Sequence, residues 1–480
     1  MISARSIIGL GMCAAVSLAG SNAAFAQAAP AAAPAGTVSE RLTALEEKTT
    51  APGLWKTLGF QISGTALVSY QQNFNNPQTN NTQLRSFDTD ANSFMANLAQ
   101  IMFERPANAD GTGMDRAGFR ARLNFGADGR YSRARTDVQP GAQNTELDVQ
   151  ELYGEYIAPV GNGLKIQVGK INTLIGYEVI NAWENPNFSR SFMFGFAQAF
   201  TTTGVRFTYP FSSWATATIG LINGWDNIDD NNRGKSFEYL LALTPHEKFG
   251  LSVYGSYGAE QSNGNSNFGF STVSGSGGCG AVAPGCDPSA KRTVVGSIIT
   301  FKPTDKDTWI LEPYYGNEGN AATDPSHQTA NGGSANARWN GIITYITHDL
   351  NDQTQPHAFS LHVRGEIFED AGGARTCGGG VNFAGGANTC ATSGANPPGF
   401  PAGTFPTGNN FLVSNPGAAH VPGNAQTLWE TTFTLQYKPV PQLQTRMEFR
   451  YDKSDHNAFL RGSEAVNNQQ TLGFSVAYLW

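Results

Sequence analysis

The sequence predicts an all-β fold, a transmembrane antiparallel β-barrel of about 16 strands, on three observations. Apolar and polar residues alternate through most of the chain, the links between alternating segments are by turns long and short, and an export signal stands at the start. Successive side chains of a strand point to opposite faces, so a period of two means one apolar face and one polar face. The closing stretch "TLGFSVAYLW" puts Leu472, Phe474, Val476, Tyr478 and Trp480 on one face and Thr471, Gly473, Ser475 and Ala477 on the other. An apolar chain end must be held by something, and a hydrocarbon layer tolerates no open sheet edge. The last strand is therefore expected to pair with the first, closing the barrel with its apolar face toward lipid.

The opening stretch, "MISARSIIGLGMCAAVSLAGSNAAFA", carries one charge at Arg5, a short apolar run from Ile7 to Leu18, and small residues at Ala24 and Ala26. This is the pattern of a secretory signal peptide cut after Ala26, and Cys13 leaves with it. A membrane helix needs about 20 continuous apolar residues, which this run does not supply. Residues 1–26 are thus read as signal, 27–57 as a periplasmic leader and 58–480 as barrel. In the leader, "TVSERLTALEEK" sets Val38, Leu42 and Leu45 in one stripe at helical spacing, a short helix that is either a frayed tail or a coiled-coil stub.

The whole chain has 31 Lys and Arg against 38 Asp and Glu, net −7. Loss of Arg5 leaves 30 against 38, or −8, with no basic block, which argues against a nucleic-acid partner. Four cysteines remain, Cys279, Cys286, Cys377 and Cys390, as two close pairs in Gly-rich loops. In an exported chain the spacing reads as two disulfide staples, Cys279 with Cys286 and Cys377 with Cys390. Neither pair has zinc-knuckle spacing and no histidine lies close by, so no metal is expected there.

From Leu58 onward the period of two persists. "LGFQISGTALVSY" aligns Leu58, Phe60, Ile62, Ala66, Val68 and Tyr70; "FSLHVRGEI" opposes Phe359, Leu361, Val363 and Ile367 to His362, Arg364 and Glu366; "LQTRMEFRY" opposes Leu443, Met447, Phe449 and Tyr451 to Arg446, Glu448 and Arg450. Segments run about 9 to 13 residues, enough for a tilted strand to cross a bilayer. Long links near 71–91, 129–145, 173–202, 224–235, 259–290, 317–336, 370–426 and 453–469 alternate with mostly short ones such as "YPFSSW", "TPHEKF" and "KPVPQL". One end then faces a tight periplasmic side and the other an open exterior, which separates a membrane barrel from a soluble sandwich. The link "PANADGTGMD" is longer than this rule expects. Aromatic residues near segment ends, among them Phe103, Tyr156, Trp214, Trp225, Phe249, Trp309, Trp339 and Trp480, suit the two headgroup levels.

The third long connection is the most specific stretch. It reads "GKINTLIGYEVINAWENPNFSRSFMFGFAQAFTTTGVRFTYPF" over residues 169–211 and precedes "GLINGWDN". Through "LIGYEV", "NFSRSF" and "TTTGVR" the chain resembles the beta-barrel porin-2 (OmpL-like) family of bacterial outer-membrane porins, from about Leu58 to Trp480. Ala199 and Thr202 depart from the Pro-Phe-Thr-His-Thr-Gly of related sequences, so no role is assigned to that histidine here. The segment is also too apolar for a solvated loop. Ile175, Val179, Ile180, Trp183, Phe188, Phe192, Phe194 and Phe196 need cover, which folding into the barrel supplies; lying over the rim or against another subunit is the alternative.

Residues on the polar faces are expected to line the pore: Arg120, Arg122, Arg206, Arg364, Arg446 and Arg450, with Glu151, Glu155, Glu238, Glu312, Glu366 and Glu448. Glu178, Glu184 and Arg190 come from the inner loop. The two loop carboxylates either face Arg120, Arg122 and Arg206 across the pore, a field that orients dipolar solutes, or the charges pair along the wall. Motifs for serine or zinc hydrolases and for phosphate-binding loops are absent, so neither catalysis nor a cofactor is expected. "WDNIDDNNRG" lacks a known calcium-loop signature and reads as a solvated turn. Two functions stay open: a porin for passive diffusion of small hydrophilic solutes, and a plugged structural or adhesive barrel displaying its loops. A lumen of 16 strands favours the first. Expected partners are outer-membrane lipid and lipopolysaccharide, small hydrophilic solutes and, for self-assembly, a homotrimer.

Overall fold

The computed structural model describes residues 59–132, 134, 147–230, 232, 234–260, 289–319, 336–372, 375–376 and 425–480. The expected signal peptide, the expected leader helix, and Cys279, Cys286, Cys377 and Cys390 lie outside the described residues. Sixteen strands form one closed antiparallel barrel. They are β1 (Gln61–Asn73), β2 (Ser93–Arg105), β3 (Ala117–Phe125), β4 (Leu147–Ala158), β5 (Leu164–Asn172), β6 (Thr201–Ser212), β7 (Ala215–Trp225) and β8 (Ser236–His246). There follow β9 (Phe249–Ala259), β10 (Lys291–Phe301), β11 (Asp307–Glu318), β12 (Ala337–Asp349), β13 (Ala358–Asp370), β14 (Gln426–Val440) and β15 (Leu443–Ser454). A small hairpin, β16 (Phe459–Arg461) and β17 (Glu464–Val466), precedes the last barrel strand, β18 (Asn468–Leu479).

Each barrel strand pairs with its neighbour in the ring, and β18 closes on β1, with Thr65 opposite Leu479 and Asn73 opposite Thr471. At the seam Gly64 and Trp480 exchange backbone hydrogen bonds, 3.0 Å in each direction. A Cβ on Gly64 would lie 2.3 Å from the Trp480 ring and 2.6 Å from the Gln100 carbonyl oxygen, so the closure needs glycine there. The parity read from the sequence holds on β18: Phe474, Val476 and Tyr478 are exposed, while Thr471, Ser475 and Ala477 are buried inside. Pro210, which cannot donate to a ladder, sits where the β6–β7 register shifts.

The links alternate as expected. Short ones at 159–163, 213–214, 247–248, 302–306, 350–357 and 441–442 share one end with 106–116, where a single 3-10 turn, Gly113–Arg116, takes up the extra length. Exposed Phe103, Tyr156, Trp214, Phe249, Phe301, Trp309 and Trp480 ring this end. Two expectations are corrected. Trp225 and Trp339, read as part of an aromatic girdle, are buried in the barrel interior and pack in the same apolar cluster as the inner loop. The first long connection, 74–92, is not a simple exterior loop either, because Leu84, Arg85, Phe87 and Asp88 are all buried. Leu84 adopts φ 56, a left-handed conformation unusual for its side chain, and packs with Ile175, Phe192 and Phe459.

Candidate pore and its inner loop

Residues 173–200 join β5 to β6 and carry no sustained period of two, so they make turns instead of strands. A 3-10 turn, Ala182–Glu184, and a π turn, Met193–Ala197, fold the aromatic residues onto two sides. Phe192 and Phe196 pack toward Trp339, Ile343 and Phe368 on β12 and β13. Phe194 stacks on Phe200 at 4.8 Å and joins Phe87 and Tyr131. Phe188 meets Leu67, Leu98 and Ala477 on β1, β2 and β18. The connection thus folds inside the barrel, as its composition demanded, because these rings lose contact with water only there.

Polar contacts fasten the loop to one arc of the wall. The Glu448 carboxylate accepts the consecutive backbone N–H groups of Phe188 at 2.6 Å and Ser189 at 2.9 Å. Glu366 does the same for Phe192 at 2.6 Å and Met193 at 2.7 Å, and Glu312 accepts from Tyr177 at 3.1 Å. Arginines take the opposite partners. Arg446 donates to the Ala182 and Asn185 carbonyls at 2.8 and 2.5 Å, and Arg364 to the Ser189 carbonyl at 2.6 Å. Hydrogen bonds donated by a charged arginine contribute about 1.5–3 kcal/mol each, and the clamp as a whole satisfies buried backbone groups of the loop.

A run of buried ion pairs extends this clamp. Glu178 of the loop bonds Arg364 at 2.6 Å, Arg364 bonds Glu430 at 2.6 Å, and Glu430 lies 3.5 Å from Arg450. Arg450 bonds Asp452 at 2.7 Å, Asp452 bonds Arg85 at 2.7 Å, and Arg85 pairs with Asp88. Acid and base alternate from the inner loop through β13, β14 and β15 to the first connection. Glu178 also accepts from the Ser191 amide at 2.8 Å. At the far end of the loop, Asp226 accepts the Phe200 and Thr201 amides at 2.7 and 2.9 Å, and burial pushes its carboxyl up to about 7.

The sequence-derived residues therefore divide. Arg364, Glu366, Arg446, Glu448 and Arg450 point inward but are occupied in holding the loop and do not stand on an open wall. Arg190 is also internal, donating to the Phe188 carbonyl at 2.9 Å and lying over the Phe87 ring at 4.3 Å. Arg120 bonds Glu104 at 2.8 Å and lies 3.6 Å from Glu151, Arg122 bonds Glu151 at 3.1 Å, and Arg206 bonds Glu238 at 2.5 Å. The field expected between Glu178 or Glu184 and these three arginines is therefore not built. Glu178 is taken by Arg364, Glu184 accepts from Asn181 at 2.6 Å, Arg120 and Arg122 pair with carboxylates on adjacent strands, and Arg206 reaches past β7 to Glu238 on β8. Arg85, Asp88, Glu430 and Asp452 were not singled out in the sequence; Leu84 and Phe87 within a polar Asn/Thr-rich link were the available signal.

Among solved structures the chain is similar to the outer membrane channel DcaP of Acinetobacter baumannii at 11% identity, covering 88% of this chain and 97% of that one with a TM-score of 0.49. It is similar to an anion-selective porin from Comamonas acidovorans at 7% identity, covering 88% and 99% with a TM-score of 0.47. It is similar to OprB of Pseudomonas putida at 8% identity, covering 89% and 95% with a TM-score of 0.48. No curated protein matches it in sequence. The model of the family described as "Putative beta-barrel porin-2, OmpL-like" matches residues 59–479, and the protein belongs to that family, a porin of the bacterial outer membrane.

Proposed function

We propose that the protein carries out passive diffusion of small hydrophilic solutes, along a path between the inner loop and the arc formed by β3 to β8. One observation carries this reading. The loop is fastened to Glu312, Arg364, Glu366, Arg446, Glu448 and Arg450 on β11, β13 and β15, whereas Arg120, Arg122 and Arg206 on the opposite arc pair with wall carboxylates. A wall of paired charges hydrates a channel and leaves it open to sugars, amino acids and small acids alike. Purified protein in a planar bilayer should give discrete open channels, and removing part of residues 173–200 should raise the conductance. Silence over many verified insertions would overturn the reading.

The second reading, a plugged adhesive barrel, draws on the apolar contacts the loop makes with β1, β2, β18 and β12 together. The same recordings separate the two. Export through the periplasm by way of the signal at 1–26, with a homotrimer as the assembly in lipid, belongs to the porin proposal. N-terminal sequencing of the mature protein and cross-linking in native membranes read those two points.

A further inference from the structure

Among the described residues at the long-loop end of the barrel, Arg375 carries a buried charge with no ion-pair partner. Arg375, just beyond β13, is 5% exposed, and its one described side-chain hydrogen bond is from Nε to the Phe196 carbonyl in the π turn of the inner loop, 2.6 Å away. Its guanidinium lies 4.8 Å from the Trp225 ring and 4.9 Å from the Trp339 ring, and Arg292 lies 4.6 Å from the Trp225 ring. Such stacking is favourable for a cation but supplies no hydrogen-bond acceptor. Among the described residues no carboxylate forms an ion pair with Arg375.

The nearby carboxylates are committed elsewhere. Glu318 Oε2 takes Arg292 at 2.8 Å. Asp370 Oδ2 takes the Arg375 and Thr376 backbone amides at 2.8 and 2.7 Å and the Thr376 hydroxyl at 2.9 Å. Asp226 takes the Phe200 and Thr201 amides. Burial, with Arg292 beside it, pushes the Arg375 guanidinium down to about 9. Four buried donors at this place find no acceptor among the described residues: Arg375 Nη2, Arg292 Nη1 and the indole N–H groups of Trp225 and Trp339. Beside them stands an unused acceptor, Glu318 Oε1, on the carboxylate whose other oxygen takes Arg292. Folded proteins rarely leave buried donors unsatisfied, and a buried charge without a counterion is costly to keep.

We propose that Arg375, Arg292 and the indoles of Trp225 and Trp339 form a recognition subsite for a small anionic group, at the mouth of the barrel beside the π turn of the inner loop. The group is the carboxylate of an acidic solute or a chloride ion. Either supplies the missing counterion and accepts several of the idle N–H groups at once. The inference deepens the porin reading and rests on it for its role: the subsite biases which solutes reach the narrow part of the channel. The surplus of donors selects anions, and the indole N–H groups, which cannot accept a hydrogen bond, give a cation nothing to bind.

The test uses the full-length mature protein refolded in detergent and inserted in planar bilayers, with succinate as the carboxylate probe. Succinate should interrupt the current in a concentration-dependent way, and glucose at the same concentration should not. In Arg375→Gln the concentration needed should rise by about tenfold or more, as for loss of a charged hydrogen-bonding partner. Arg375→Lys, which keeps the charge, should fall between. If Arg375→Gln does not fold, Trp339→Phe removes one donor while keeping an aromatic ring, and should weaken the block in the same direction. Raising chloride at fixed succinate tells the sources apart. A proportional rise in the blocking concentration means that chloride occupies the subsite, and no change means that it is kept for carboxylates.

Open channels whose current ignores succinate, or whose block is unchanged in both variants, would overturn the subsite and leave the porin intact. Silent bilayers would instead overturn the porin reading. Tryptophan fluorescence of the detergent-folded protein then decides the subsite by itself. A succinate- or chloride-dependent change that is lost in the variants supports it, and no change removes it.

Discussion

Arg364 on β13 and Glu178 on the inner loop meet at 2.6 Å with both side chains almost sealed from solvent, and the same guanidinium holds Glu430 on β14 at 2.6 Å. One arginine therefore neutralises two buried carboxylates and ties a mobile type of element, a loop, to two strands. Arg364→Gln should leave both carboxylates buried without that cation. Breaking a buried pair from one side typically costs about 3–5 kcal/mol. The temperature at which the folded band converts to the unfolded one in detergent electrophoresis should fall clearly, and channel traces should become larger or noisier as the loop loosens. Replacing both partners, Arg364→Met with Glu178→Met, should recover part of the loss. An unchanged conversion temperature in Arg364→Gln would show that the clamp does not depend on this pair.

The seam predicts a sharper failure. Gly64→Val places methyl groups where the Trp480 ring and the Gln100 carbonyl already stand, 2.3 and 2.6 Å from the first added carbon. The register between β1 and β18 then has no room to close. The refolded fraction should drop severely, with little heat-modifiable material. Gly64→Ala should be damaging too, since the Cβ itself makes the clash. Normal folding of both variants would mean that the seam adjusts around Trp480.

Arg120 and Arg122 bear on selectivity. Both belong to the arc that the proposal gives to the conducting path, and Arg120 keeps about a third of its side chain exposed, 31%. Changing both to Gln removes two positive charges and leaves Glu104 and Glu151 uncompensated. The reversal potential in a salt gradient should move toward cation preference, because fixed charge at a narrow, low-dielectric passage acts strongly on ions. Conductance should change less than selectivity. A reversal potential indifferent to the double change would place the path elsewhere in the lumen.

How far the sequence reached follows from what a period of two can report. Leu472, Phe474, Val476 and Tyr478 announce their face because Thr471, Ser475 and Ala477 contrast with them. On β12 the contrast disappears: Ile342 and Ile346 face lipid while Trp339, Ile343 and Tyr345 face the inner loop, so both faces are apolar and parity is silent. That is why Trp339 looked like a girdle residue. The inward fold of residues 173–200 was legible from its aromatic content, since Phe188, Phe192, Phe194 and Phe196 need burial wherever the chain runs. The partners were not legible. Glu178 and Arg364 are 186 residues apart, and nothing local marks which arginine a loop carboxylate will find. Inward direction could be read for Arg364, Glu366, Arg446, Glu448 and Arg450, but occupation by the loop could not.

The cysteine spacing carries its own expectation. Cys279 with Cys286 and Cys377 with Cys390 stand in close pairs, and with the proposed export this spacing favours local bridges. Peptide mapping without reduction should recover each pair as one linked species. Free thiols at all four, or a bridge joining the two loops, would refute this pairing.

Asp226 predicts a dependence on pH at the base of the inner loop. Its carboxyl, just past the end of β7, is raised from 3.8 to about 7 because burial penalises the ionised form more than the Phe200 and Thr201 amides favour it. A carboxyl whose folded value exceeds its unfolded value binds its proton more tightly when folded. Its penalty is absent below about 3.8, grows as pH rises through the interval up to about 7, and is fully present above that. The Phe200–Thr201 anchor should therefore loosen between slightly acid and slightly alkaline solution. Hydrogen exchange at these two amides, corrected for the intrinsic rate, should be less protected at pH about 8 than at about 6. Asp226→Asn keeps a carbonyl to accept the amides and has no proton to lose, so its protection should be flat across that range. Equal slopes in the two proteins would assign the pH dependence to another group.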